Sequence, residues 1–311
     1  MLKLTVTTLA LCASFAIQAD ARTHPALSMA ATLFAVENAD EKYKEPEERK
    51  LDETTKSEDA SNAAPTWMGI SEEEFKALHQ LRTDQVPTLH GAMVALAGGQ
   101  AYLSLPEKAK APLPAVLVIH EWWGLNDHVK HWADRLAADG YAALAVDLYG
   151  GQVATDADGA MSLMKSVQDS TSLRTLAAAL QFLHEDPRID ANKIGSIGWC
   201  FGGGWSLRTA LLSPELSACV IYYGRPVMDV EQLKTIHAEV LGVFGNLDSS
   251  IPPATVDQFE AALKQAGVKE TVLRFNAVHA FANPSNPKYD EASAGAAWKE
   301  VRALLKRTLK S

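Results

Sequence analysis

The stretch Lys193-Ile194-Gly195-Ser196-Ile197-Gly198-Trp199-Cys200-Phe201-Gly202-Gly203-Gly204 decides the fold. Lys193 to Ile197 reads as a buried strand, and Trp205 to Leu212 as the start of a helix. Between them, Gly-x-Cys-x-Gly is the nucleophile-elbow pattern Gly-x-Ser-x-Gly with a thiol in the serine's place. Such an elbow turns sharply from strand to helix and lifts one side chain above the sheet edge. Its glycines are needed where a side chain would collide with the turn. Five residues are a short match, so other loops must supply a base, an orienting acid and amides for an oxyanion.

Outward from this turn the chain alternates between strands and helices. Apolar runs at Ala115–Ile119, Ala142–Val146, Lys193–Ile197, Cys219–Tyr223, Val240–Phe244 and Val272–Phe275 read as strands. Helices are expected at Asp127–Ala138, Ser170–His184, Gly203–Leu212, Thr255–Ala266 and Glu291–Leu309. Short apolar strands separated by helices imply an α/β fold, a mainly parallel sheet with helices on both faces. Met93–Ala97 and Gln100–Leu105 flank Gly98-Gly99 and predict an N-terminal hairpin. Upstream, Ser71-Glu72-Glu73-Glu74 has the form of a capping box that opens a helix. In parallel sheets the site forms at the carboxyl ends of the strands, which selects the loops to inspect.

Asp248 follows the strand Val240–Phe244, and His279 follows Val272–Phe275. Cys200, Asp248 and His279 therefore come in the order nucleophile, acid, base, each on a loop at the same sheet edge. Each part has a chemical reason. A thiol near pKa 8.5 is a poor nucleophile until deprotonated; imidazole can take the proton, and a carboxylate fixes the ring's tautomer. Singly, His279 could be a loop histidine and Asp248 a turn former; their joint order favours the triad. The loop after Ala115–Ile119 reads His120-Glu121-Trp122-Trp123-Gly124-Leu125-Asn126. At that position one main-chain N–H of an oxyanion hole is expected, from Trp122, with the other from Phe201 after the nucleophile. Glu121 is unexpected there, because a carboxylate beside the thiol opposes its ionisation; otherwise it is a solvated loop charge. Trp123, Tyr149, Trp199 and Phe281 adjoin the reacting groups and are candidates to line an apolar pocket. Arg225, in Tyr222-Tyr223-Gly224-Arg225-Pro226, is either an anion clamp at the active edge or a turn residue facing water.

The whole chain bounds these readings. It has 311 residues, with 47% apolar and 22% charged side chains and a net charge of −9. The composition is that of a globular protein, and the acidity argues against nucleic acid as a partner. Lys3, the apolar run Leu4–Ile17 and Ala19-Asp20-Ala21 have the form of a cleaved export signal over residues 1–21. An amphipathic N-terminus is the alternative; the run is too short for a stable membrane span. A periplasmic or secreted protein is expected. Residues 22–66 are expected to be a disordered acidic linker, since Glu37–Thr66 holds few large apolar groups. Residues 67–311 then form the folded domain. Export leaves Cys200 and Cys219. They are expected to lie on the order of 15 Å apart, at opposite ends of neighbouring strands, so Cys200 is expected to be a free thiol. No His/Cys cluster has metal-ligand spacing, and no cofactor fingerprint occurs.

Together, His-Glu-Trp-Trp-Gly-Leu-Asn, Val146-Asp147-Leu148-Tyr149-Gly150, Gly-Trp-Cys-Phe-Gly-Gly and His279-Ala-Phe-Ala resemble the dienelactone hydrolase family, from about His90 to Leu309. The resemblance implies an α/β-hydrolase fold and an enzyme that opens enol-lactones or related esters through a thioester on Cys200. It carries His279 over as base and Asp248 as the residue that orients it. It implies that Glu121 holds the resting thiol and helps generate thiolate once substrate displaces it. The family's dienelactone-opening members grip a substrate carboxylate with arginines, one of them four residues after the histidine. Here that place is Asn283, and Gly150 to Leu173 contains no arginine. The expected protein is a monomer acting on a small-molecule ester or lactone, with no cofactor, metal or nucleic acid. The rival readings are a broad esterase without lactone preference, a thiol redox protein, and a non-catalytic binding protein on the same scaffold.

Overall fold

The computed structural model describes residues 66–67, 70–71, 88–108 and 110–311. The expected signal segment, nearly all of the expected linker and the helix expected after Ser71 lie outside the described residues. Thr66–Trp67 (β1) and Ile70–Ser71 (β2) pair antiparallel. The remaining strands form an eight-stranded sheet in the order β10-β9-β8-β7-β5-β6-β4-β3. They are β3 (Ala92–Leu96), β4 (Gly99–Ser104), β5 (Leu113–Ile119), β6 (Ala142–Val146), β7 (Ile189–Trp199), β8 (Ala218–Tyr222), β9 (Glu239–Gly245) and β10 (Glu270–Phe275). The run from β6 through β10 is parallel, whereas β4 is antiparallel to both β3 and β6, as the hairpin signal predicts.

The central parallel strands β5, β6 and β8, and the second half of β7, are nearly continuous runs of buried, mostly apolar residues because both faces are covered. On one face lie α1 (Asp127–Ala138), with Val129, Ala133 and Leu136 turned inward, and the C-terminal helix α7 (Glu291–Leu309), with Trp298, Val301, Leu304 and Leu305. The other face carries α3 (Asp169–Glu185), α4 (Phe201–Leu212), the short α5 (Val230–Leu233) and α6 (Pro253–Ala266). The capping chemistry explains where these helices begin. Asn126 accepts the Val129 N–H to start α1, and Asp290 accepts the Ser293 N–H to start α7.

Several elements differ from the sequence reading: β10 begins at Glu270 rather than Val272, and the short helix α5 was not expected. β7 begins at Ile189, before the expected Lys193, because Ile189 pairs with Leu113 ahead of a register shift before Ala115. A further helix, α2 (Ala157–Ser166), follows β6 and was not expected. Its cap is Asp156, which accepts the Gly159 N–H, and its Ala160, Met161 and Met164 pack with Trp122 and Trp123.

β5 is central to the function. The chain leaves it for β6 on one side and later returns to β7 on the other, so the strand ends at Ile119, Val146 and Trp199 diverge there. At such a switch point the loops leave a crevice above the sheet.

Candidate active site

The turn between β7 and α4 takes the strained form that the glycine pattern predicts. Cys200 has φ 54° and ψ −117°, a conformation that side chains rarely adopt. A side chain at Gly198 would collide with the Gly202 carbonyl, and one at Gly202 with the carbonyls of Ile119 and His120. Glycine at both positions therefore lets α4 pack directly against the ends of β5 and β7. The Cys200 N–H donates to the Tyr222 carbonyl at 3.0 Å, and the Gly203 and Gly204 amides donate to the Cys200 carbonyl, so the strain is held from both sides. The other described non-glycine residues with positive φ are Tyr223 (37°) and Ala280 (59°). Both belong to loops around this cysteine, as expected where strain is concentrated at a working site.

Asp248 and His279 meet as expected. The Asp248 Oδ1 atom accepts the Ser250 and Ile251 amides at 2.8 and 3.1 Å, which locks the loop after β9. Its Oδ2 accepts the His279 Nδ1–H at 2.6 Å, and both side chains are almost wholly buried. That bond fixes Nδ1 as the donor and leaves Nε2 as the nitrogen available to the thiol, which lies close enough for the two groups to influence each other's pKa. Burial would lower the His279 pKa, but the Asp248 charge and the charge of an ionised Cys200 outweigh it and raise the ring well above its ordinary value, which favours passage of the thiol proton to the ring. Burial alone would raise Asp248, yet the imidazolium and the hydrogen bonds hold it below its usual range. Burial pushes the Cys200 thiol up, and the Glu121 charge adds to this while His279 opposes it. The resting group is therefore a protonated thiol at neutral pH. Neither Cys200 nor Cys219 is in a disulfide. Cys219 lies beside Ser196 in the strand register and hydrogen-bonds Ser206, below the elbow.

Glu121 is buried, which removes the reading of a solvated loop charge. Burial raises its pKa to about 7, with the His279 charge and the Asn283 and Tyr223 side chains pulling it back. Asn283 Nδ2 donates to Glu121 Oε2. The Tyr223 hydroxyl lies close enough to weigh on this carboxyl, though neither it nor Glu121 Oε1 completes a hydrogen bond of normal geometry.

The Phe201 amide lies close enough to the Cys200 sulfur to lower its pKa. Trp122 is wholly buried after Glu121, against α2. His120, which the sequence reading passed over as a site residue, holds this loop in place. Its Nδ1–H donates to the Glu121 carbonyl at 2.6 Å, and its Nε2 accepts the Leu148 N–H at 3.1 Å. With both nitrogens engaged the ring is neutral, and burial keeps its pKa low. It also stacks on Phe201 at 5.7 Å and meets Tyr149 edge-on at 4.7 Å. His120 thus ties the ends of β5, β6 and β7 together.

A shallow cleft opens beside Glu121. Trp123 and Trp199 line it as expected, and Trp132, His128, Asn283 and Ser285 join them. Tyr149 is buried against Phe201, close enough to Cys200 for their charges to interact. Phe281 does not line the cleft. It is fully buried between Tyr223 and Phe275, because the loop after His279 turns it down into the core. Arg225 is not at the cleft either; it is exposed, and its backbone packs over Gly204 in α4. Among the described residues no group of three His, Cys, Asp or Glu side chains could hold a metal. No described helix is long and apolar enough to cross a membrane.

A mainly parallel sheet with a strained elbow and a His–Asp pair at its carboxyl edge defines an α/β-hydrolase. The dienelactone hydrolase family model matches residues 100–309, and the chain belongs to that family. A relative from Escherichia coli O157:H7, provisionally named carboxymethylenebutenolidase, is 31% identical over 67% of this chain and 82% of its own length. A relative from Saccharolobus solfataricus with the same provisional name is 30% identical over 68% of this chain and 95% of its own. Among solved structures, a dienelactone hydrolase-like promiscuous phosphotriesterase from metagenomic libraries superimposes with a TM-score of 0.65 at 28% identity. That match covers 71% of this chain and 99% of the other. The chain is accordingly a hydrolase acting on ester bonds.

Proposed function

We propose that this hydrolase cleaves carboxylic esters or enol-lactones through a thioester on Cys200. The observation that carries the reading is the 2.6 Å Asp248–His279 bond, with the imidazole presented to a thiol on a strained elbow. The Cys200 sulfur attacks the carbonyl carbon, and its proton passes to His279 Nε2. The negative oxygen of the tetrahedral intermediate is held by the amides of Phe201 and Trp122. As the intermediate collapses, the carbon–oxygen ester bond breaks and His279 gives its proton to the leaving alkoxide. Water then attacks the thioester and gives a proton to His279, which returns it to the departing sulfur. Asp248 holds the ring in the required tautomer throughout. Glu121 keeps the thiol protonated at rest, and its displacement by substrate favours the thiolate. Such gating limits oxidation of an idle thiolate.

The test is hydrolysis of a panel of p-nitrophenyl esters and enol-lactones by the wild type and Cys200→Ala. Loss of turnover in the variant is expected, and equal rates would overturn the assignment. Export is part of the proposal and rests on Lys3, Leu4–Ile17 and Ala19-Asp20-Ala21. N-terminal sequencing of the protein made in a bacterial host is expected to find a chain starting after Ala21. An intact Met1 in the cytosolic fraction would refute export.

A further inference from the structure

We infer that the cleft beside Glu121 selects uncharged esters carrying a flat aromatic or apolar group, and rejects substrates that bring a carboxylate into it. This rests on the proposed Cys200 chemistry and concerns which molecules reach it. Three indoles, Trp123, Trp132 and Trp199, form the walls. Trp132 and Trp199 are stacked 5.0 Å apart at 28°, and Trp132 also packs on Trp298 at 4.9 Å, so the wall is layered and firmly backed. Rigid aromatic surface favours a flat apolar partner at little entropic cost.

The polar part of the cleft has the wrong sign for an anion. Its ionisable residues are Glu121 and His128; no lysine or arginine lines it among the described residues. The cations on the adjoining helix α1 are engaged elsewhere. Lys130 pairs with Asp127 at 2.9 Å, and the Arg135 guanidinium lies over Trp132 and Trp298 at 4.9 and 4.6 Å. Asn283 cannot serve as an anion donor without giving up a bond. Its Oδ1 accepts from the Ser285 amide and hydroxyl at 2.8 and 2.6 Å, which turns its NH2 group toward Glu121. A substrate carboxylate placed here would lose water, find no lysine or arginine and face a carboxyl of its own sign.

The experiment compares two shape-matched pairs on the full protein. The charge sits on the acyl side in p-nitrophenyl hydrogen terephthalate against p-nitrophenyl 4-methylbenzoate, and on the alcohol side in 4-acetoxybenzoate against 4-methylphenyl acetate. Spontaneous and leaving-group rates are corrected with hydroxide. In both pairs the uncharged member is expected to have a kcat/KM higher by about tenfold or more, a cautious figure for a buried unpaired charge. A smaller ratio in either pair, or a preference for the anion, would overturn the inference. Both results require hydrolysis that disappears in Cys200→Ala; if that dependence is absent, the proposed function fails instead. The selectivity is read without turnover as well, by tryptophan fluorescence of Cys200→Ala titrated with 4-methylbenzamide and with 4-carboxybenzamide. Tighter binding of the uncharged amide is expected, and equal or tighter binding of the anion would overturn the inference.

Discussion

Replacing Glu121 with glutamine removes a charge while keeping the shape and an acceptor for the Asn283 amide. In the wild type, burial raises the Glu121 pKa from 4.5 to about 7. The folded protein therefore binds this proton more tightly than the unfolded chain does. Below about pH 4.5 the carboxyl is neutral in both states and costs nothing. As pH rises from 4.5 to 7 the unfolded chain releases the proton first, so stability falls; above about 7 the whole cost is present. A shift of about 2.5 units corresponds to about 3 kcal/mol. Glu121→Gln has no proton to lose and escapes this cost, and titrations common to both proteins cancel in the difference. Urea unfolding at intervals from pH 5 to pH 8 is the assay, with unchanged m-values as the control on the unfolded state. The variant is expected to gain on the wild type as pH rises, approaching about 3 kcal/mol across the full window. A difference that stays flat over that range would refute the buried-carboxyl account of Glu121. So would a wild type that gains on the variant as pH rises.

Asp248→Asn keeps the turn at the end of β9 but disturbs the tautomer of His279; kcat is expected to fall roughly 10³–10⁴-fold with the fold intact by circular dichroism. A loss below about tenfold would remove Asp248 from its role. Gly202→Ala drives a methyl group into the Ile119 and His120 carbonyls, and a melting temperature lower by roughly 5–10 °C is expected. An unchanged melt would show that the elbow can relax. Gly295→Ala, inside α7 with nothing within 4 Å of the new methyl, is expected instead to stabilise the protein by about 0.5–1 kcal/mol in urea unfolding.

Much of the sheet could be read from apolar runs bounded by turn residues. β6, α1 and α7 agree with the sequence reading to the residue, because caps and composition change together at their ends. The early part of β7 was hidden, since Asp190, Ala191 and Asn192 look like loop and lie in the irregular stretch between Ile189 and Ile194, the residues that pair with β5. α2 was hidden by its Asp- and Gly-containing start; Asp156 with Ala160, Met161 and Met164 was the available signal. Cys200, Asp248 and His279 were readable because each follows a strand of one parallel sheet. The pairing of Glu121 with Asn283 joins residues 162 apart and appears only in the folded chain. Phe281 shows the opposite limit: proximity to a reactive histidine in sequence does not decide which way a ring faces. His120 could not be singled out, because its work lies in bridging Glu121 and Leu148 through one neutral ring.

The measurement closest to the centre of this account is the mass of the protein during turnover. Wild type mixed with p-nitrophenyl acetate and quenched in acid is expected to carry one acetyl group. Peptide mapping is expected to place it on Cys200, and it should be absent from Cys200→Ala. An acetyl group mapped to another residue would contradict the thioester mechanism. Full turnover by Cys200→Ala would contradict it equally.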